Sequence, residues 1–292
     1  MIVAGAVVQG TGHLAAGQGC QDAFKAVDLG ESAVLAVADG AGGRERSALG
    51  AHIAVDAACR VLAEDAPEAG DPPETWTRWT AAAGARVVAE YLRSVTAVLS
   101  ATAPAPAAHR ADPPDPRPVD AGALAATLAA ALVRPPWAAF VSVGDCFGTL
   151  LTRPAPAPAE PDAETDAEPE PEPAERCHLV LPPPEPRRPG PVFLSSPGAA
   201  LRARTFVVWE PELSGVVLAT DGCTALTLDH PSVRGLPPEA GPLPSERFFR
   251  GLAATLRANG GDAAPLRALL CGPGAARTGD DLTVLCALVE GR

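Results

Sequence analysis

Asp39 ends the apolar run Val34-Leu35-Ala36-Val37-Ala38 and is followed by Gly40, Ala41, Gly42 and Gly43. A short, unbroken apolar run reads as a strand buried on both faces, which here delivers a carboxylate at its tip. Glycines beyond the acid let the backbone approach whatever that carboxylate holds. Asp-Gly is equally a common turn dipeptide, and alone the two readings weigh the same. The pattern recurs, however. Phe140-Val141-Ser142-Val143 runs into Gly144-Asp145, and Val216-Val217-Leu218-Ala219-Thr220 runs into Asp221-Gly222. Asp280-Asp281 directly precedes Leu282-Thr283-Val284-Leu285-Cys286-Ala287-Leu288, and Asp22 follows Cys20-Gln21. Aspartates gathered at strand ends without matching Lys or Arg repel one another unless a cation lies between them. All-oxygen donors, with no His-rich or CxxC pattern, point to Mg2+ or Mn2+ rather than zinc, and several carboxylates suggest two ions sharing a bridge.

The elements that must position these acids follow from periodicity. Residues 2–9 read as a first strand. Gly10-Thr11-Gly12-His13-Leu14-Ala15 then matches the dinucleotide fingerprint GxGxxA. That fingerprint needs a long helix behind it, and Gly17 and Gly19 interrupt one at once. His13 therefore reads as a loop or core histidine. Ala51, Val55, Ala58, Cys59 and Leu62 recur at helical spacing and predict an amphipathic helix over 45–64. A second helix from Thr75 carries the stripe Trp76, Trp79, Ala83, Val87, Tyr91, Val95 and Val98, whose aromatic pair reads as core. Residues 103–118 are Pro-rich and read as a loop. In residues 121–133 the alanines favour helix by propensity. Residues 154–174 are Pro, Ala, Glu and Asp almost without apolar content, which predicts a disordered or extended acidic insertion. Strand-like segments return at 177–181, 192–194 and 205–209, and helices are expected over 246–259 and 262–270. The order of strands, two helices, strands, two helices and a final strand suits an α+β sandwich.

The chain has 292 residues, 47% of them hydrophobic, which is ample for a globular core. Its formal net charge of −12 disfavours nucleic acid or an anionic membrane surface as partners and fits a protein that binds cations. Met1-Ile2-Val3-Ala4-Gly5 lacks the basic region of a signal peptide, and no segment has the length of a membrane span, so the expected location is cytoplasmic. Seven cysteines at irregular spacing fit reduced thiols better than a disulfide framework.

Gln21-Asp22-Ala23, Ala38-Asp39-Gly40-Ala41-Gly42-Gly43, Val143-Gly144-Asp145-Cys146, Ala219-Thr220-Asp221-Gly222 and Gly279-Asp280-Asp281-Leu282-Thr283-Val284 stand in the order and approximate spacing of the metal-dependent protein phosphatase 2C family. The chain resembles a bacterial branch of that family carrying Cys-Gln-Asp near its start. The resemblance spans about Gly5 to Val289 and implies one domain over 1–292 with insertions. It implies an α-β-β-α sandwich, two mostly antiparallel sheets flanked by helices, with residues 121–133 a strand paired to 137–143. It further implies a phosphoserine/phosphothreonine protein phosphatase acting on a phosphorylated protein, the substrate of a Ser/Thr kinase. Two Mg2+ or Mn2+ ions, with a third in bacterial relatives, are the implied cofactors. Asp39 would bridge two ions and the Gly40 carbonyl would ligate one. Asp221 and Asp280 would complete the other, Asp22 would orient water, and Asp145 would hold the third. Water between two divalent ions loses its proton near neutral pH and attacks phosphorus in line, without a phosphoenzyme.

The sequence departs from the family in four places. Gly17 stands where many relatives carry a phosphate-clamping arginine, and Ala41 where eukaryotic relatives carry a histidine that protonates the leaving group. Gln21 replaces an acid, and Cys146 stands where Ser is usual. Retained metal acids favour an enzyme. The missing clamp favours the alternative, a catalytically weak phosphatase-like module that binds a phosphoprotein or kinase. A small-molecule phosphoesterase is a third reading. Cys20, Cys146 and Cys223, each within two residues of a site aspartate, raise a redox-switch reading against the simpler one of small buried residues.

Overall fold

The computed structural model describes residues 1–102, 120–154, 175–184 and 190–290. The Pro-rich segment 103–118 and nearly all of the acidic insertion 154–174 lie outside the described residues. Among the described residues twelve strands are formed: β1 (Ile2–Val8), β2 (Asp22–Asp28), β3 (Ala33–Asp39), β4 (Leu128–Arg134), β5 (Trp137–Val143), β6 (Phe147–Thr152), β7 (Arg176–Leu181), β8 (Arg204–Trp209), β9 (Leu213–Ala219), β10 (Leu228–Asp229), β11 (Leu243–Pro244) and β12 (Leu282–Leu288). The α-helices are α1 (Thr11–Ala15), α2 (Ser47–Ala63), α3 (Pro73–Thr102), α4 (Ala199–Arg202), α5 (Thr224–Thr227), α6 (Glu246–Ala258) and α7 (Ala264–Leu270).

Two five-stranded sheets are built in the orders β1-β12-β9-β6-β7 and β2-β3-β4-β5-β8, and every ladder in them is antiparallel. Alternation along the strands sorts side chains into three cores. Ala33, Leu35 and Val37 of β3 meet Leu218, Leu285 and Ala287 between the sheets. Val34, Ala36 and Ala38 face α2 and α3 with Ala54, Leu62, Trp76 and Tyr91. On the opposite flank Phe249, Leu252 and Leu256 of α6 and Leu266 and Leu270 of α7 cover Val217, Val284 and Cys286. This is the helix, sheet, sheet, helix layering that the sequence predicts.

β4 forms a strand against its own composition. Leu128-Ala-Ala-Ala-Leu-Val pairs with β3 on one side and β5 on the other, and every one of these residues is buried. Two ladders of hydrogen bonds outweigh the modest helix preference of three alanines. Trp76 is fully buried and stacks on Trp137 at 5.2 Å, so the Trp pair is core, as its spacing suggests. Residues 192–194 do not form the expected strand; they make a loop in which Leu194 N donates to Ala126 O and Phe193 O accepts from Ser196 N, both at 2.9 Å. Three apolar residues are too few to compete with β8 for the free edge of β5, where Arg204–Trp209 pairs instead. β6 arises beyond the expected strands, immediately after Asp145-Cys146. Residues 11–15 do form a helix, but a single short one that ends before Gly17.

Candidate active site

Antiparallel pairing brings the acids to one edge of both sheets. Asp22, first in β2, is the register partner of Asp39, last in β3. In the other sheet β9 and β12 run antiparallel, so Asp221, just past the end of β9, and Asp280, just before β12, emerge side by side. Asp145 follows β5 through Gly144, whose φ of 101° turns the chain sharply. A side chain on residue 144 would place its Cβ 2.5 Å from Thr127 Cγ2, so glycine is required there twice over.

Asp22 is buried, and its Oδ2 accepts hydrogen bonds from Thr220 Oγ1 and Thr283 Oγ1, both at 2.7 Å. Those hydroxyls come from the opposite sheet, so Asp22 ties the two sheets together. Burial pushes its pKa up to about 7; the two hydroxyl bonds oppose that rise, and the Asp281 and Asp221 charges add to it. Asp39 accepts no hydrogen bond on its carboxylate among the described residues. Burial, then the charges of Asp22, Asp221, Asp280 and Asp145, push it up to about 10. Its backbone is pinned by Thr127, whose N–H donates to Asp39 O at 2.8 Å. Gly40 continues from it, donating its N–H to Gln21 O at 3.1 Å and bridging to Ala126. Asp221 is raised to about 6 by burial and by Asp145 and Asp280, with the Gly222 N–H at 3.0 Å opposing. Burial raises Asp145 as well, with Arg204 countering, and its Oδ1 is buried without a hydrogen-bond partner among the described residues. Asp280 Oδ1 accepts from the Asp281 N–H at 2.9 Å and leaves its second oxygen free of any such bond among the described residues.

The structure separates the adjacent pair. Asp281 points inward, 1% exposed, and accepts from Gly10 N and Gln21 N, both at 2.6 Å, with His13 Nδ1 at 3.0 Å. These bonds hold its pKa below the usual carboxylate value against burial, and the same contact raises His13. Asp280 is therefore the one whose charge is felt by Asp39, Asp145 and Asp221.

A hard divalent cation fits the chemistry of this donor set: every donor is an oxygen, Asp145 Oδ1 is orphaned, and Asp39 is destabilised as an anion by its neighbours. Among the described residues no group of three or more His, Cys, Asp or Glu side chains is arranged to hold an ion by itself. Backbone oxygen and water would have to complete any coordination shell, as Mg2+ ordinarily requires.

Gly17 has φ 67° and donates its N–H to Leu14 O at 3.1 Å, so it serves as the stop of α1. All seven cysteines are unpaired. Burial raises Cys20 to about 12 and drives Cys146 and Cys223 upward, which opposes the thiolate character that a redox switch needs. Thr127, Thr220, Thr283 and Arg204 were not foreseen. Arg204 donates to Ser142 Oγ at 3.1 Å and to Pro182 O at 2.8 Å beside the Asp145 turn. Among the described residues no helix is long and apolar enough to cross a membrane.

The family model for protein phosphatase 2C matches residues 9–271. No curated protein matches the sequence. Among solved structures the chain is similar to a bacterial serine phosphatase, with 11% identity, coverage of 100% of this chain and 99% of that one, and a TM-score of 0.54. It is also similar to the serine/threonine phosphatase Stp1 from Staphylococcus aureus, at 11% identity, 100% and 96% coverage and a TM-score of 0.52. A third is the Mycobacterium tuberculosis serine/threonine phosphatase PstP/Ppp, at 16% identity, full coverage of both chains and a TM-score of 0.51. At these identities the structures speak to the fold, two antiparallel sheets between helices, whereas the family model is matched by the sequence itself. With its acids delivered to one edge of that fold and most of its length matched by the family model, the chain belongs to the protein phosphatase 2C family.

Proposed function

We propose that the protein is a metal-dependent phosphoserine/phosphothreonine protein phosphatase of the bacterial type with Cys-Gln-Asp near its start, one domain over 1–292. The observation that carries this is the convergence of Asp39, Asp145, Asp221 and Asp280 with no ion-pair partner for any of them among the described residues. Such a set is stable as anions only around cations. Asp39, with the Gly40 carbonyl, Asp221 and Asp280, would hold two Mg2+ or Mn2+ ions, and Asp145 a third. Bound there, a divalent pair supplies hydroxide near neutral pH and neutralises charge on phosphoryl oxygens. Asp22, fixed by two threonine hydroxyls on one oxygen, keeps the other for orienting water. Asp39, which burial holds protonated near neutral pH, would give up that proton to a bound ion, so metal binding should release protons. The substrate would be a phosphorylated protein, the product of a Ser/Thr kinase, and the setting cytoplasmic.

A weakly catalytic phosphoprotein-binding module is the second reading, favoured by the lack of a three-acid ligand group among the described residues. One assay separates the two: hydrolysis of a phosphopeptide and an aryl phosphate with and without Mn2+, for wild type and Asp221→Asn. Mn2+-dependent turnover that Asp221→Asn abolishes is expected. Absence of turnover, with phosphopeptide binding retained, would favour the module instead, and full activity in the variant would overturn the metal assignment.

A further inference from the structure

Beside the acidic edge lies an open cleft of about 370 Å³. One wall is Gln18, Gly19 and Gln21, from the segment that follows Gly17; the other is Gly43, Arg44, Glu45 and Ser47, from the turn that follows Gly40. Gly40 joins the two walls, since its N–H donates to Gln21 O at 3.1 Å. Arg44 is exposed, is placed by its own N–H on Ala41 O at 3.2 Å, and forms no ion pair among the described residues, not even with neighbouring Glu45. Gln21 is 7% exposed, and its Oε1 has no hydrogen-bond partner among the described residues. Orphaned buried polar atoms are rare, and this one belongs to a side chain that lines the cleft. The amide can turn its NH2 toward an anion as readily as its oxygen toward a donor.

We propose that Arg44 and the Gln21 amide anchor the phosphoryl group of the substrate in this cleft, Arg44 supplying from the opposite wall the charge that Gly17 lacks. The proposal rests on the phosphatase reading. A phosphomonoester dianion approaching four clustered carboxylates is repelled until cations offset them, and a guanidinium at the rim supplies a fixed cation with a fork matched to phosphate oxygens. Arg44 gives up no ion pair among the described residues in order to serve.

The test measures kcat and KM of Mn2+-saturated wild type, Arg44→Ala and Arg44→Lys on an aryl phosphate and a phosphopeptide. Calorimetric titration of each Mn2+-loaded protein with inorganic phosphate accompanies it. In Arg44→Ala, loss of a charge-assisted contact should raise KM for both substrates and weaken phosphate binding by about tenfold or more, with kcat far less affected. Arg44→Lys should recover part of both, since it keeps the charge but not the fork. Unchanged KM and unchanged phosphate binding in Arg44→Ala would overturn the proposal. So would an effect confined to the phosphopeptide, which would make Arg44 a reader of flanking residues. Phosphate binding that depends on Arg44 in a protein without turnover would sustain the anchor while refuting the phosphatase reading.

Discussion

Replacing Asp39 by Asn should make the metal-free protein more stable while abolishing its chemistry. Asp39 is held up to about 10 by burial and by four neighbouring carboxylates, against 3.8 in an unfolded chain. Below pH 3.8 both states are protonated and the site contributes nothing. Above it the unfolded chain ionises while the folded one keeps its proton, so stability falls as pH rises toward the folded pKa. At pH 7 the gap from 3.8 is about three pH units, worth about 4 kcal/mol at about 1.4 kcal/mol each. Asp22, raised to about 7 at the register partner position, shares that repulsion, so the part that Asn relieves is about 2–4 kcal/mol. For a chain of this size the melting temperature in EDTA should rise by about 3–7 °C. The gain should shrink as the pH is lowered toward 4. Added Mn2+ should stabilise wild type by about 2.7 kcal/mol at a hundredfold excess over Kd, and the variant far less. Thermal unfolding followed by circular dichroism, from pH 4 to 8 in EDTA and again in Mn2+, measures each quantity. A variant melting at or below wild type throughout that range in EDTA, or keeping the full Mn2+ shift, would refute the account of the carboxylate edge as a site built around cations.

Two further outcomes follow from the residues around that edge. Asp281→Ala leaves the Gly10 and Gln21 N–H groups without their acceptor, removes the carboxylate 3.0 Å from His13, and should destabilise the fold by about 2–5 kcal/mol. Because the native pKa of Asp281 lies below its usual value, its contribution is present above pH 3.8 and lost as pH falls through the native value, so urea midpoints of the variant should lose that acid dependence. Gly144→Ala sets a Cβ 2.5 Å from Thr127 Cγ2 at a φ of 101°; a loss of about 1–3 kcal/mol in urea unfolding, with a raised Mn2+ requirement, is expected, and an unchanged midpoint would mean the turn yields freely.

What could be read from the sequence was whatever rests on local pattern. The apolar runs ending in aspartate are strands, because buried β3, β5 and β9 admit no charged residue until they leave the core. Antiparallel register sets Asp22 beside Asp39 and brings together the strand ends next to Asp221 and Asp280. The hydroxyls were hidden. Thr127, Thr220 and Thr283 sit at or near strand ends where threonine is favoured by shape alone, and only the packing of one sheet on the other turns two of them toward Asp22. Asp280 and Asp281 are equivalent in a string of letters, and the burial of one against Gly10 and Gln21 depends on chain folded from the far end of the sequence. The cleft was missed for a similar reason. Nothing in the spacing of Gln21 and Arg44 shows that their two loops face each other.

β1 pairs along its whole length with β12, Ile2 with Leu288 through Val8 with Leu282. β1 therefore waits for β12, and so does Asp22, one of whose threonine partners is on β12. On the ribosome the sheet of β2, β3, β4, β5 and β8 can close early, while its companion stands open with an apolar face uncovered. The nascent chain can hold no competent site until Leu282–Leu288 has emerged, so a message broken shortly before that point yields inactive protein rather than a weakened enzyme. Pairing across nearly the whole sequence also makes refolding slow for the size of the molecule, and chaperone demand during synthesis follows from the order in which its two sheets become possible.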